Sequence, residues 1–170
     1  TNNGLNMAHK VTNKEVYKQN IKIQKTTATS LMTLTSSWVN VTGSQISYTP
    51  QSGSTYVVYE FITQMSYKDT DNNCWFQLQY GSDISSVGNI TTNNVGYVNA
   101  FGGNNSTNSS FSAQVRLSYT IPSWSGEKVL VLQAKSSSGS FESYLNGLNS
   151  TLSFTNSTDY FNPFVEIYSI

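Results

Sequence analysis

Hydrophobic and polar residues alternate with a period of two along most of this chain. Phe111, Ala113, Val115, Leu117, Tyr119 and Ile121 alternate with Ser112, Gln114, Arg116, Ser118 and Thr120. Successive side chains of a strand point to opposite faces, so this segment predicts a strand with one buried and one wet face. Cys74, Phe76, Leu78 and Tyr80 repeat the pattern against Trp75, Gln77 and Gln79. Val57, Tyr59, Phe61, Met65 and Tyr67 share one face of a longer strand, whose other face carries Val58 and Ile62. Apolar residues on both faces predict a central place in a sheet. Shorter signals of the same kind occupy 16–25, 38–49, 95–101, 127–135 and 163–170. Trp38 is expected to pack in the core.

In the last segment, Phe164, Tyr168 and Ile170 face one way and Val165 and Ile167 the other. A strand apolar on both faces is central in its sheet or buried by another subunit. Both are expected here, which makes Phe164, Tyr168 and Ile170 the candidate oligomer interface. Thr42-Gly43-Ser44, Pro50 to Gly53, Gly102 to Asn105, Pro122 to Gly126, Ser136 to Ser140 and Asn146-Gly147 carry turn chemistry between the runs. No long stretch keeps a 3.6 period, so no helix is predicted. Roughly eight to ten short strands with regular turns predict an all-β fold, an antiparallel β-sandwich or jelly roll. No repeat or linker divides the chain. Residues 1–13 read as an N-terminal arm or tether and 14–170 as one domain.

Composition changes the picture in two ways. The 170 residues include 19 Asn, 27 Ser and 19 Thr, a polar excess that by itself resembles disorder. The 8 Phe, 3 Trp and 11 Tyr argue for a packed chain instead. Formal net charge is zero, so no electrostatic case exists for nucleic acid or for a membrane surface. No apolar run approaches the roughly 20 residues a membrane helix needs. Lysines concentrate at the start, where Lys10, Lys14, Lys18, Lys22 and Lys25 face only Glu15. Such a segment is a solvated arm and edge strand, or an arm that docks on an acidic partner.

Catalytic chemistry has little to build on. His9, the only histidine, falls in the arm, and a triad needs an oriented imidazole. Cys74 lies on the buried side of its strand and reads as a packed thiol. One cysteine can build neither an intrachain disulfide nor a thiolate zinc site. The eight carboxylates between Glu60 and Glu166 show no spacing that forces a pair together. Asp69-Thr70-Asp71-Asn72-Asn73 opens like a calcium loop, but Cys74 stands where such loops need Gly and Tyr80 where they need Glu. It reads as a polar hairpin turn. Seven N-x-[ST] sequons, including Asn40, are close to the number this composition gives by chance. No enzyme, metal or cofactor is expected.

Exposed aromatics are the better lead. Trp75 points to the polar side of its strand, Trp124 sits in a turn, and Tyr97 and Phe101 flank a Gly/Asn-rich loop. Aromatic rings stack on sugar faces while amides and hydroxyls bond sugar hydroxyls, so these four are candidate contacts for a glycan or partner. Rings so placed also fill subunit contacts or cap a sandwich.

Ser37-Trp38-Val39-Asn40-Val41-Thr42-Gly43-Ser44, then Ile46 to Pro50 and Gly53 to Val58, resembles a segment of fibre- and spike-type structural proteins of aquatic viruses and tailed phages. The likeness continues through Tyr67 to Asp71, Tyr119 to Gly126, Val129 to Lys135 and Pro163 to Ile167, covering about residues 15–170. Asn40 departs from it, standing where Asp is common. The resemblance implies a tumour-necrosis-factor-like jelly roll, trimeric and displayed on a virion, with no catalytic residues. The expected function is therefore a virion surface structural protein: a fibre, spike or capsid-decorating domain. Its expected partners are two further copies, other capsid or fibre proteins and host cell-surface glycans, with no nucleic acid and no membrane insertion. The alternative is a carbohydrate-binding module of a larger secreted protein.

Overall fold

A computed structural model describes residues 17–68, 73–85, 88–89, 95–99, 110–136, 142–146 and 160–170. Within them the alternating segments become strands, and no helix occurs. One sheet holds β1 (Gln19–Lys25), β2 (Met32–Leu34), β5 (Tyr56–Lys68), β9 (Ser110–Pro122), β11 (Glu142–Leu145) and β12 (Phe164–Ser169). The other holds β3 (Val39–Asn40), β4 (Ile46–Tyr48), β6 (Asn73–Gly81), β7 (Gly88–Asn89), β8 (Val95–Asn99) and β10 (Lys128–Ser136).

All neighbouring strands run antiparallel. The principal orders are β1-β12-β5-β9 and β4-β10-β6-β8. First and last strands are neighbours, and the chain passes between sheets in the order a folded-over jelly roll requires. The protein is thus an antiparallel jelly-roll β-sandwich. β2 and β11 extend the first sheet beside the far half of β5, and β3 and β7 add short pairings to the second. β12 lies between β1 and β5, the central place its two apolar faces predict. The arm, residues 1–13, lies outside the described residues.

The strand period decides what is buried. Val57, Tyr59, Phe61 and Met65 of β5 meet Cys74, Phe76 and Leu78 of β6 in one core, joined by Leu130, Leu132 and Ala134 of β10. Cys74 is fully buried, as its strand position predicts. Full burial of each of the Val, Leu, Phe and Met side chains contributes roughly 1.5–3 kcal/mol. The Tyr59 ring sits edge-on to Tyr119, with centroids 6.4 Å apart. Its hydroxyl donates to the Ser44 carbonyl at 2.6 Å, so a fully buried phenol keeps a partner. Ser44 in turn ties the loop to β10, donating to Val41 O and accepting from the Leu132 amide at 3.1 Å. Beside it, Gly43 adopts φ +83°. A Cβ there would stand 2.7 Å from Pro163 Cγ, so only glycine fits both the backbone and the space.

Two expectations need correcting. Trp38 is half-exposed and outside the core, because its ring lies under the Lys135 ammonium on the outer side of the sandwich. The sequence pattern also omits β2, β7 and β11, which are too short to show a period.

Candidate functional site

The two sheets turn very different outer faces to their surroundings. On the first sheet, β1 reverses the usual polarity of a strand. Its polar side chains reach inward to the rim of the second sheet. Asn20 Nδ2 donates to Thr49 O at 2.6 Å, Lys22 Nζ to Ser47 O at 2.8 Å and Gln24 Nε2 to Gln45 O at 2.9 Å. These bonds satisfy carbonyls along the rim and close one side of the sandwich. The residues between them must then point outward. Ile21 and Ile23 are 52% and 59% exposed, and Tyr17 just before the strand is 66% exposed.

The neighbouring strands continue this face. Ile23 stands opposite Glu166, and Glu166 opposite Glu60. Phe164 stands opposite Ile62, and Tyr168 opposite Val58. Phe164, Tyr168, Ile170 and Ile62 are all half-buried. The candidate interface residues therefore lie on one continuous face with the exposed isoleucines of β1. Two carboxylates 106 positions apart in sequence become cross-strand neighbours here, which no local spacing announces. Each has its own cation. Lys18 Nζ lies 2.6 Å from Glu166 Oε1, and Arg116 Nη2 lies 2.8 Å from Glu60 Oε2. The pairs offset the repulsion that like charges directly opposite would suffer. The hydrogen bond from Lys18 to Glu166 raises the ammonium pKa above its ordinary value, and the bond to Glu60 does the same for Arg116. Lys18 Nζ also sits 4.1 Å from the centre of the Tyr168 ring.

The second sheet presents amides and indoles. Gln77 of β6 stands opposite Gln133 of β10, which stands opposite Asn40 of β3. Gln77 Nε2 donates to Gln133 Oε1 at 2.8 Å, and Gln133 Nε2 donates to Asn40 Oδ1 at 2.9 Å. Three strands are thus crossed by one directional amide row. Two register positions away, Trp75 stands opposite Lys135, whose Nζ lies 5.8 Å from the Trp75 ring and 4.9 Å from the Trp38 ring. Trp75 is half-buried on the outer side, as its polar-side position predicts. Tyr97 holds the register position opposite Trp75, on β8. Its side chain and the whole of Phe101 lie outside the described residues.

Trp124 occupies a third place, the end of the sandwich. Its ring packs on the core between Tyr48, edge-on at 6.3 Å, and Tyr80 at 5.6 Å. Its indole nitrogen is buried. The turn that carries it and the 49–54 loop line a groove of about 490 Å³. The structure therefore separates Trp124 from Trp75 and brings Trp75 to Trp38, which sequence reasoning assigned to the core. Among the described residues, no group of three or more His, Cys, Asp or Glu side chains is placed to hold a metal ion.

The chain matches no protein-family model, and no curated protein matches it in sequence. Among solved structures it is similar to the Eiger TNF of S. frugiperda. The likeness has a TM-score of 0.34 at 9% identity, over 88% of this chain and 92% of that one. The strand order itself carries the jelly-roll assignment.

Proposed function

We propose that this chain is a trimerising structural subunit of a virion surface, a fibre, spike or capsid-decorating domain that attaches to host glycans. The supporting observation is the outer face of the first sheet, where Tyr17, Ile21 and Ile23 stand exposed beside half-buried Phe164 and Tyr168. Large apolar side chains left exposed around two neutralised ion pairs mark a contact surface. Identical copies related by closed rotational symmetry cover such a patch on every subunit at once. Three-fold closure is what the resemblance to fibre- and spike-type proteins implies. Binding, with no chemical step, is then the mechanism. Display of several copies raises weak contacts to useful avidity. Residues 1–13 would serve as the tether to other coat proteins.

A carbohydrate-binding module of a larger secreted protein is the second reading. It draws on the half-exposed indoles of Trp38 and Trp75 and needs no assembly. Light scattering separates the two. The trimer reading expects a mass three times 18.8 kDa, and a reduced mass for Ile23→Lys. A mass of one chain for the unaltered protein would remove the trimer and leave the module.

A further inference from the structure

We propose that Trp38, Lys135 and Trp75 form a binding site for a sugar that carries a carboxylate. The inference deepens the glycan-attachment reading above by naming the site and the chemical class of its ligand. The argument begins with charge. Among the described residues, Lys18 is held by Glu166, Arg116 by Glu60 and Lys22 by a main-chain carbonyl, while Lys128 lies 4.1 Å over the single ring of Tyr80. Lys135 faces no carboxylate among the described residues; its ammonium instead lies 4.9 Å and 5.8 Å from two indole rings.

Indole faces hold a cation in place by attraction to the ring quadrupole, without neutralising it. Among the described residues the charge therefore remains available to an anion, flanked by two apolar surfaces that lower the local dielectric and strengthen the contact. A carboxylate paired with an ammonium makes a short, charge-assisted hydrogen bond. Where the ammonium leaves an indole surface uncovered, that flat apolar surface can meet the C–H face of a pyranose ring.

The amide row completes the match. Gln133 and Gln77 lie two residues along their strands from Lys135 and Trp75, and Asn40 lies two residues on from Trp38, which precedes β3. Two residues of strand span roughly 6.5–7 Å, about the breadth of a substituted pyranose. A sugar whose carboxylate meets Lys135 thus sets its remaining polar groups over the amide row. The direction of that row matters as well. Its two internal bonds leave the Asn40 Nδ2 donor at one end and the Gln77 Oε1 acceptor at the other. Hydroxyl and acetamido groups can use both. Lys135 is the only charged residue among these six, so a neutral sugar would leave its ammonium without an anion.

The test uses the full chain and ligand-observed NMR titration with 3′-sialyllactose, a carboxylated probe, against lactose, its neutral core. The expected result is saturable binding of 3′-sialyllactose, with lactose weaker by roughly tenfold or more. Lys135→Gln is expected to bring the two probes to the same weak affinity, and Lys135→Arg to retain most of the difference. Rising salt should weaken 3′-sialyllactose alone. Trp75→Phe keeps a ring on the strand and guards against a folding defect; it should weaken 3′-sialyllactose without changing thermal stability. Equal affinity for both probes, no binding of 3′-sialyllactose, or full binding by Lys135→Gln would each overturn the proposal. Light scattering on the same samples reads the assembly separately: a trimer that ignores 3′-sialyllactose sinks only this inference, and a monomer that binds it sinks only the trimer.

Discussion

The outer faces of the two sheets are built from the same strand geometry and do opposite things. The first sets isoleucine, tyrosine and phenylalanine around two ion pairs. The second sets glutamine and asparagine beside two indoles and one lysine. Apolar side chains gain by losing water, so the first face is suited to a permanent partner. An amide row satisfies itself internally and keeps a donor at one end and an acceptor at the other, so the second can stay wet and still recognise a ligand. Both faces cover one shared core, so changes beneath them and changes upon them should separate cleanly.

The largest effect lies beneath. Phe61 and Phe76 are fully buried, one under each face. Truncating either to alanine is expected to cost about 3–5 kcal/mol, read as a fall in the urea midpoint. Similar losses at both sites would show that the faces differ only in what they present, while a small loss at one would mean that its sheet is loosely packed.

Next comes the first face itself. Phe164→Lys places a charge where a second copy should sit, next to Ile62. Sedimentation should show dissociation to single chains, with far-ultraviolet circular dichroism unchanged. Gln133→Lys on the second face should leave the mass unchanged. Dissociation by the second variant and not the first would reverse the assignment of the two faces.

Alkaline pH acts on the shared interior. Burial raises the Tyr59 phenol well above its ordinary 10.0, and raises Tyr48 to a lesser extent. The folded chain then holds these protons more tightly than the unfolded chain. Stability from this source is intact below pH 10 and falls as pH climbs past it, by up to about 1.4 kcal/mol per unit for Tyr59. Tyr59→Phe should flatten that slope in urea titrations between pH 9 and pH 11, at the cost of the bond to Ser44. An unchanged slope would place the alkaline sensitivity elsewhere.

The smallest effect belongs to the amide row. Gln133→Ala removes both of its bonds at a half-exposed site, for about 1 kcal/mol, measured by thermal melting. A much larger loss would mean that the row braces the sheet in addition to furnishing a surface.

Much of the fold was legible because alternation acts locally. The inner faces of β5, β6, β9 and β10 follow directly from residue parity, as does the central place of β12. What escaped depends on partners distant in sequence. Nothing near Ile21 and Ile23 says that they face outward; that follows from Asn20, Lys22 and Gln24 reaching carbonyls between Gln45 and Thr49. Trp38 reads as core until Lys135 is placed over it, 97 positions along the chain. The amide row exists only once β3, β10 and β6 are in register. A composition rich in amides and hydroxyls hinted at a wet recognising surface, but only the register says which amides meet.

Hydroxyl-radical footprinting compares the two faces in one experiment. At concentrations that favour assembly, Tyr17 and Tyr168 should be protected relative to the Phe164→Lys variant, while Trp38 and Trp75 react equally in both. Equal labelling of Tyr17 and Tyr168 in the two proteins would contradict the claim that the first face is buried between copies.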